Sequence, residues 1–240
     1  MTNKKGIFAT SGLLLASALF TTQPAVAAST LTFTGFEYGS VDVTFGTGLP
    51  VPPAAVTHAS AGAFNANVNG GPTFEAFCVD IWQTLGFNQN YSLGVGSTYT
   101  YRPSMLGYVT NAGAFTQGTL DNLSRLYTEA HASIIGNATN SAAFQVALWE
   151  IAFETPGNYN LTSGNFHATS PAGVTSVANG WLTNLAAFAP VYSISGYVSA
   201  TNQDVIVFHP VPEPGTYAMM LAGLGLMGFV ARRRRGRTAV

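Results

Sequence analysis

The only cysteine of the chain, Cys78, is the first candidate for chemistry. It stands in the segment FEAFCVDIW of a 240-residue chain. A thiolate is a better nucleophile at neutral pH than other side chains. A single cysteine in an exported protein has no internal disulfide partner, so it forms an intermolecular bond, serves as a reactive site, or packs as a small buried hydrophobe. Asp80 could handle a proton near this thiol, although an acid at a strand end is more often solvated.

A glutamine in an apolar segment is the second candidate. Gln145 lies in NSAAFQVALWEIAF, one position off an apolar stripe, and Trp149 follows it by four residues. Residues four apart share one helical face, so Gln145 is expected beside the tryptophan at the edge of a buried face. A buried amide needs hydrogen bonds to avoid a free-energy cost. Its position is therefore unusual for a residue that only packs.

Other reactive constellations are weak. The histidines show no metal-ligand spacing, so no metal is expected. The segment GVGSTY neither follows a strand of a parallel sheet nor precedes a helix, which argues against a nucleotide loop. No Ser-His-Asp pattern can be defended, no histidine is placed to serve Cys78, and no cofactor is expected. The four histidines are His58, His131, His167 and His209.

The elements that must position these residues are strands at both ends and helices between them. Helical spacing predicts a first helix over 120–135, a second over 140–155 with Asn140 or Ser141 as its cap, and a third over 176–188. This order predicts an α+β fold, a β-sandwich or barrel-like sheet with an inserted helical subdomain.

The strand-rich flanks contain five predicted segments. Alternating apolar and polar residues in 31–45 predict a hairpin. Segments 74–82 and 97–103 are predicted strands, and the first of them carries Cys78. Segments 191–200 and 203–208 predict a closing hairpin.

The two ends have the composition of targeting segments. Lysines, a short apolar core and small residues at 25–28 predict a secretory signal peptide over 1–28. The C-terminal segment 211–237 contains the motif Pro212-Glu213-Pro214, an apolar stretch at 217–231 and an arginine cluster. That cluster should remain cytoplasmic as a stop-transfer element. It consists of Arg232, Arg233, Arg234, Arg235 and Arg237.

This three-part tail resembles the PEP-CTERM sorting signal of Gram-negative bacteria. The resemblance implies processing by an exosortase near the Pro-Glu-Pro motif, with transient anchoring in the inner membrane through 217–231. It also implies a bacterium that makes exopolysaccharide, and a mature protein on the cell surface or in the biofilm matrix. The alternative is a plain single-pass anchor, although fifteen helical residues span only about 22 Å.

The segment between the two ends, 29–210, suits one domain of acidic charge. It contains two arginines, no lysine and nine acidic residues, a net charge of −7. This excludes a basic groove for nucleic acid and strong binding to anionic polymers. It also excludes internal lysine–asparagine crosslinks.

The segments around Cys78 and Gln145, FCVD and FQVALWE, together resemble the paired motifs of thioester domains in bacterial surface adhesins. In that family an aromatic-Cys motif lies on an early strand and a Gln motif followed by Trp lies on a later helix. The resemblance implies that the Cys78 sulfur and the Gln145 carbonyl join as an internal thioester with loss of ammonia. Phe77, Phe144 and Trp149 would exclude water from it. Phe144 stands where threonine often precedes the glutamine in that family.

The sequence therefore predicts an exported surface or matrix protein that attaches covalently to amine or hydroxyl groups. The target would be a nucleophile on an extracellular polysaccharide or a surface protein. Such a protein is not a turnover enzyme, because each bond is used once. The alternative is a non-covalent structural or carbohydrate-binding matrix protein with an inert buried cysteine.

Overall fold

The structure is a computed structural model that describes residues 29–48, 58–110, 112–154, 157–211 and 219–228. The predicted signal peptide, the Pro-Glu-Pro motif and the arginine cluster lie outside the described residues.

Twelve strands and three helices form the body of the described chain. The strands are β1 (Ser29–Phe36), β2 (Val41–Thr47), β3 (His58–Ala61), β4 (Phe64–Val68), β5 (Thr73–Cys78), β6 (Asn90–Leu93), β7 (Thr100–Arg102), β8 (Val109–Thr110), β9 (Gly113–Ala114), β10 (Phe166–Ser170), β11 (Tyr192–Val198) and β12 (Val205–Pro210). The helices are α1 (Gln117–Ile134), α2 (Ala138–Phe153) and α3 (Ala172–Asn184), and a 3-10 turn follows at Leu185–Ala187.

The main sheet has seven antiparallel strands in the order β6-β1-β4-β5-β12-β11-β7. A single parallel bridge between Leu93 and Tyr99 joins the β6 edge to the chain just before β7. The sheet is therefore nearly closed. Its interior is filled by buried aromatic rings, with Phe33 lying 5.9 Å from Tyr99 and 6.1 Å from Tyr91 between ring centroids. The predicted barrel-like sheet is confirmed.

The predicted hairpin over 31–45 is wrong, although both of its strands exist. β1 pairs with β4 and β6, whereas β2 pairs with β3 and β10 in a separate three-stranded sheet. The apolar residues of the two strands serve different contacts, since Phe33 fills the main sheet while Phe45 packs 5.6 Å from Trp149. Alternation defines which face of a strand is buried but does not define its partner.

The three predicted helices are present with shifted ends. Thr116 caps α1 through a capping box with Thr119. The cap of α2 is Asn137, whose side chain accepts from the Asn140 amide, so the predicted caps Asn140 and Ser141 are wrong. Gly136, with φ of +68°, ends α1 just before this cap and leaves Asn137 extended.

The second helix is buried on all sides rather than along one stripe. Thirteen residues of α2 are buried, from Ser141 to Phe153. The helix contacts α1, α3 and all three strands of the smaller sheet. Helices and sheets share one hydrophobic core. The helical block is therefore part of the same core, whereas the sequence predicted an inserted helical subdomain.

The closing hairpin is confirmed, since β11 and β12 pair along six residues each, from Tyr192–Pro210 to Tyr197–Val205. The predicted strand over 74–82 ends earlier, because β5 stops at Cys78. Residues 219–228 of the predicted C-terminal helix are helical and exposed. Within the described ranges, no helix has the length and apolar character needed to cross a membrane.

Candidate functional site

The fold brings Cys78 and Gln145 into direct contact across 67 residues of sequence. The Gln145 side-chain nitrogen donates to the Cys78 carbonyl at 2.7 Å. The Cys78 amide donates to Gln145 Oε1 at 3.1 Å. Both residues are 1% exposed. One side-chain amide is therefore fixed on the main chain of the residue that carries the thiol.

This contact exists because the neighbouring strand ends early. The last residue pair between β4 and β5 is Phe64 with Ala76, so no β4 residue stands opposite Cys78. The chain enters β4 from β3 of the smaller sheet and turns at Gly62, whose φ is +157°. Ser141, one turn before Gln145 on α2, accepts from the Ala63 amide at 2.8 Å. Helix α2 thus replaces the missing strand and satisfies its hydrogen bonds.

The thiol itself is buried and bonded to the main chain. Cys78 Sγ donates to the Asp80 carbonyl at 2.6 Å, and the Gln203 side chain donates to the same carbonyl at 3.1 Å. Burial, together with the negative charge of Asp80, raises the pKa of the Cys78 thiol well above its usual range. The nearby Trp149 indole N–H acts in the opposite direction on this pKa. The thiol is therefore protonated and unreactive toward solvent reagents in the folded chain.

The aromatic residues predicted to exclude water are all buried. Phe77 packs on Phe144 with ring centroids 4.4 Å apart. Alternation along β5 directs Phe77 to the sheet face opposite Cys78. Trp149 lies against Phe45 and Phe166 on the other side, at 5.6 and 6.0 Å. Cys78 and Gln145 are thus buried among aromatic rings on both faces of the sheet.

The Trp149 indole nitrogen is a buried donor that has no acceptor in normal hydrogen-bond geometry within the described chain. It lies close enough to Cys78 to lower the pKa of the thiol. An unsatisfied N–H beside a sulfur is a ready donor to a thiolate, which accepts more strongly than a thiol.

Asp80 is buried, not solvated, and its carboxylate is not the group that contacts the thiol. Asp80 Oδ1 accepts from the Trp82 amide at 2.6 Å. Burial raises the pKa of Asp80 to about 6. Asp204 lies nearby and accepts a hydrogen bond of 2.6 Å from the Tyr108 hydroxyl. Burial raises the pKa of Asp204 as well.

Asp204 and Tyr108 were not found by sequence reasoning. They line a cleft of 290 Å³ together with Asp80 and Trp82. A second cleft of 280 Å³ is lined by Ile81, Trp149 and Gln203, among others. The segment 80–84, which follows Cys78, contributes to both clefts. No sequence pattern links these positions, because they come from three separate loops.

Across the described ranges, no group of three His, Cys, Asp or Glu side chains could hold a metal ion.

Comparison with known proteins identifies the C-terminal tail. Residues 210–235 match the PEP-CTERM protein-sorting motif. The predicted PEP-CTERM sorting signal is confirmed. The motif marks an exported cell-surface protein and implies processing by exosortase. No curated protein matches the chain.

The solved structures that are similar to this chain include domains of bacterial surface proteins. The N-terminal domain of the pilus tip adhesin Cpa from Streptococcus pyogenes is 14% identical with a TM-score of 0.44, and the match covers 79% of this chain and 98% of that one. The N-terminal thioester domain of fibronectin-binding protein SfbI from Streptococcus pyogenes is 16% identical with a TM-score of 0.44, covering 79% and 97%. The N-terminal thioester domain of a surface protein from Clostridium perfringens is 10% identical with a TM-score of 0.40, covering 70% and 100%.

Proposed function

We propose that Cys78 and Gln145 form an internal thioester that attaches this exported protein covalently to its target. The observation that carries the proposal is the fixed position of the Gln145 amide on the Cys78 main chain, at 2.7 and 3.1 Å, inside the core. An amide is inert unless it is held against its nucleophile. Such preorganisation contributes roughly 7–11 kcal/mol toward a barrier.

The bond would form by acyl transfer from nitrogen to sulfur. Cys78 Sγ leaves its hydrogen bond to the Asp80 carbonyl and attacks Gln145 Cδ. The new carbon–sulfur bond replaces the carbon–nitrogen bond, and the nitrogen departs as ammonia with the thiol proton. The Trp149 N–H stabilises the negative charge that develops on sulfur, and the Cys78 N–H, already bonded to Oε1, stabilises the charge on oxygen.

The buried position would then preserve the product. The aromatic rings of Phe77, Phe144 and Trp149 exclude the water that would hydrolyse a thioester. An incoming amine or hydroxyl attacks Gln145 Cδ, forms an amide or ester, and returns its proton to the Cys78 sulfur. The chain is not an enzyme that turns over, because each domain forms one such bond. The target is a nucleophile on an extracellular polysaccharide or a surface protein.

The nucleophile would reach the bond from the clefts that segment 80–84 lines. This segment begins two residues after Cys78 and contributes walls to both clefts. Asp80 and Asp204 line the first of these clefts, where a carboxylate can accept a proton from an incoming amine. Exosortase cleavage near Pro212-Glu213-Pro214, after transient anchoring through 217–231, delivers the domain to the surface.

Intact-mass measurement before and after methylamine treatment tests this function. The purified chain is expected to have a mass lower than its sequence mass by one ammonia, and no thiol should react with alkylating reagents even after denaturation. Methylamine should add to Gln145 and release the Cys78 thiol in the same step. The control variants Cys78→Ser and Gln145→Glu should show neither the mass deficit nor the adduct.

The opposite pattern would refute the thioester. Freshly prepared protein with its full sequence mass and one thiol on denaturation would leave Gln145 as a residue that only completes the sheet. A dimer that dissociates on reduction would instead identify Cys78 as an intermolecular disulfide.

A further inference from the structure

The main sheet contains a fork between β5 and β12. In the described chain these strands pair at two positions, Cys78 with Val205 and Phe77 with Ile206. Beyond them, β12 continues to Pro210 without a partner on this side, and β5 extends back to Thr73 likewise. The strands diverge around a cleft of 550 Å³, larger than the two clefts lined by segment 80–84. The fork therefore leaves an opening in an otherwise continuous sheet.

Flat aromatic rings form the walls of this cleft. Tyr197 stacks on Phe74 at 5.7 Å, and Tyr101 adjoins Tyr197 at 5.2 Å. The Tyr101 side chain is 44% exposed, which leaves much of its surface free. Tyr127 and Phe208 also line the cleft and stack on each other at 4.2 Å with an interplanar angle of 7°. The cleft thus offers the exposed ring of Tyr101, backed by Tyr197, to a flat, partly apolar ligand.

Polar groups between the rings offer a few directed hydrogen bonds. Glu75 Oε2 accepts from the Tyr38 hydroxyl at 2.9 Å, whereas the buried Oε1 has no partner among the described residues. Ser195 and His209 share a hydrogen bond of 2.7 Å at the other end of the lining. The unpaired edges of β5 and β12 add main-chain donors and acceptors. A ligand for this cleft must carry both a flat apolar face and several hydroxyl groups.

We propose that the fork binds a neutral saccharide unit, with one sugar face on Tyr101 and Tyr197 and a hydroxyl donating to Glu75 Oε1. Pyranose rings have apolar C–H faces and equatorial hydroxyls, the combination that stacked tyrosines and an isolated carboxyl group recognise. A cationic ligand fits less well, because among the described residues Glu75 is the only carboxyl group that lines the cleft, and His131 lies 3.8 Å from it.

The binding is non-covalent and does not depend on the thioester. Its consequence would be to concentrate the domain on a glycan before any acyl transfer takes place. A sugar held in the fork would also sit on β5, the strand that ends at Cys78.

An array of defined oligosaccharides, neutral, acidic and amino-substituted, tests the proposal with the full chain. Neutral glycans should be retained, and Tyr101→Ala should weaken their binding roughly tenfold, as expected for a lost ring contact. Glu75→Gln should weaken it as well. The control Leu106→Ala removes another exposed apolar side chain and should bind as the unaltered chain does.

Two outcomes would overturn the proposal. These are equal retention of every glycan by Tyr101→Ala and the unaltered chain, and tighter binding of amino-substituted or acidic glycans than of any neutral glycan. The Cys78→Ala variant separates this proposal from the thioester, because it abolishes acyl transfer and should leave glycan affinity unchanged.

Discussion

Gln145 bonds to both main-chain groups of Cys78, the N–H at 3.1 Å and the C=O at 2.7 Å, and so takes the place of a strand residue. These hydrogen bonds do not involve the Cys78 side chain. Replacing the cysteine side chain therefore has different effects on a chain with a thioester and on a chain without one. This difference makes the pair testable by stability measurements alone.

The first prediction is that Cys78→Ala and Gln145→Ala destabilise the fold by similar amounts. A covalent bond between them closes a loop of 67 residues, which by the loop-entropy relation used for disulfides contributes about 4 kcal/mol to the free energy of unfolding. Either substitution removes the whole contribution, and the double variant should lose little more than either single one. Denaturant unfolding of the unaltered chain, the two single variants and the double variant measures these free energies.

Without the covalent bond, the two substitutions would differ. Cys78→Ala would keep both hydrogen bonds to Gln145 and remove only a sulfur atom. Gln145→Ala would leave a buried N–H and C=O unpaired, at a cost of about 1–3 kcal/mol each. A small loss for Cys78→Ala beside a large one for Gln145→Ala would therefore contradict the thioester.

The second prediction is that the fold becomes less stable as the pH rises from about 5 to 8. Burial raises the pKa of Glu75 to about 7, of Asp80 to about 6 and of Glu150 to about 8. A carboxyl group with a raised folded-state pKa stabilises the fold at low pH, and this contribution is lost as the pH rises through the folded pKa. His131, whose pKa burial lowers, acts in the opposite direction but is one group against several.

Thermal unfolding of Cys78→Ala across this range measures the effect without hydrolysis of a thioester. The melting temperature should be highest at the acidic end. A melting temperature that rises steadily from pH 5 to 8 would show that these carboxyl groups are not protonated in the fold.

The third prediction isolates Glu150. This residue is fully buried, one oxygen accepts from the Asn160 amide, and Oε2 has no partner among the described residues. Glu150→Gln should raise the melting temperature at pH 8 to 9, where the carboxyl group must otherwise ionise in the core, and should have little effect at pH 5. Asp42→Asn, at an exposed position, is the matched control and should change neither value. Equal effects of Glu150→Gln at both pH values would rule out the buried neutral acid.

The fourth prediction concerns sorting. The match at 210–235 implies that the surface form lacks the arginine cluster. Peptide mapping of protein from the native host should place the C-terminus of the surface form near Pro212-Glu213-Pro214. The Glu213→Ala variant should keep its tail and remain in the membrane fraction. Recovery of intact 232–237 peptides from the surface fraction would contradict this.

Much of the site could be predicted because its two residues carry unusual local signals. A single cysteine and an amide in an apolar helix are visible in the sequence, and the helices and the closing hairpin follow from periodicity. The partner of β2 could not be predicted, because alternation carries no information on pairing. The roles of Asp204 and Tyr108 were equally hidden, since a hydrogen bond across 96 residues leaves no mark on either local segment.

The last strand of the body lies inside the main sheet, not at its edge. β12 pairs with β11 along six residues and with β5 at two, and it ends at Pro210, where the match to the sorting motif begins. A tail that tethers the protein would therefore transmit mechanical tension along the axis of an interior strand. Tension in that direction loads the hydrogen bonds of β11 and β12 in shear, so that they resist together rather than opening one by one. A tether at the end of β12 would therefore be held by a strand that has partners on both sides.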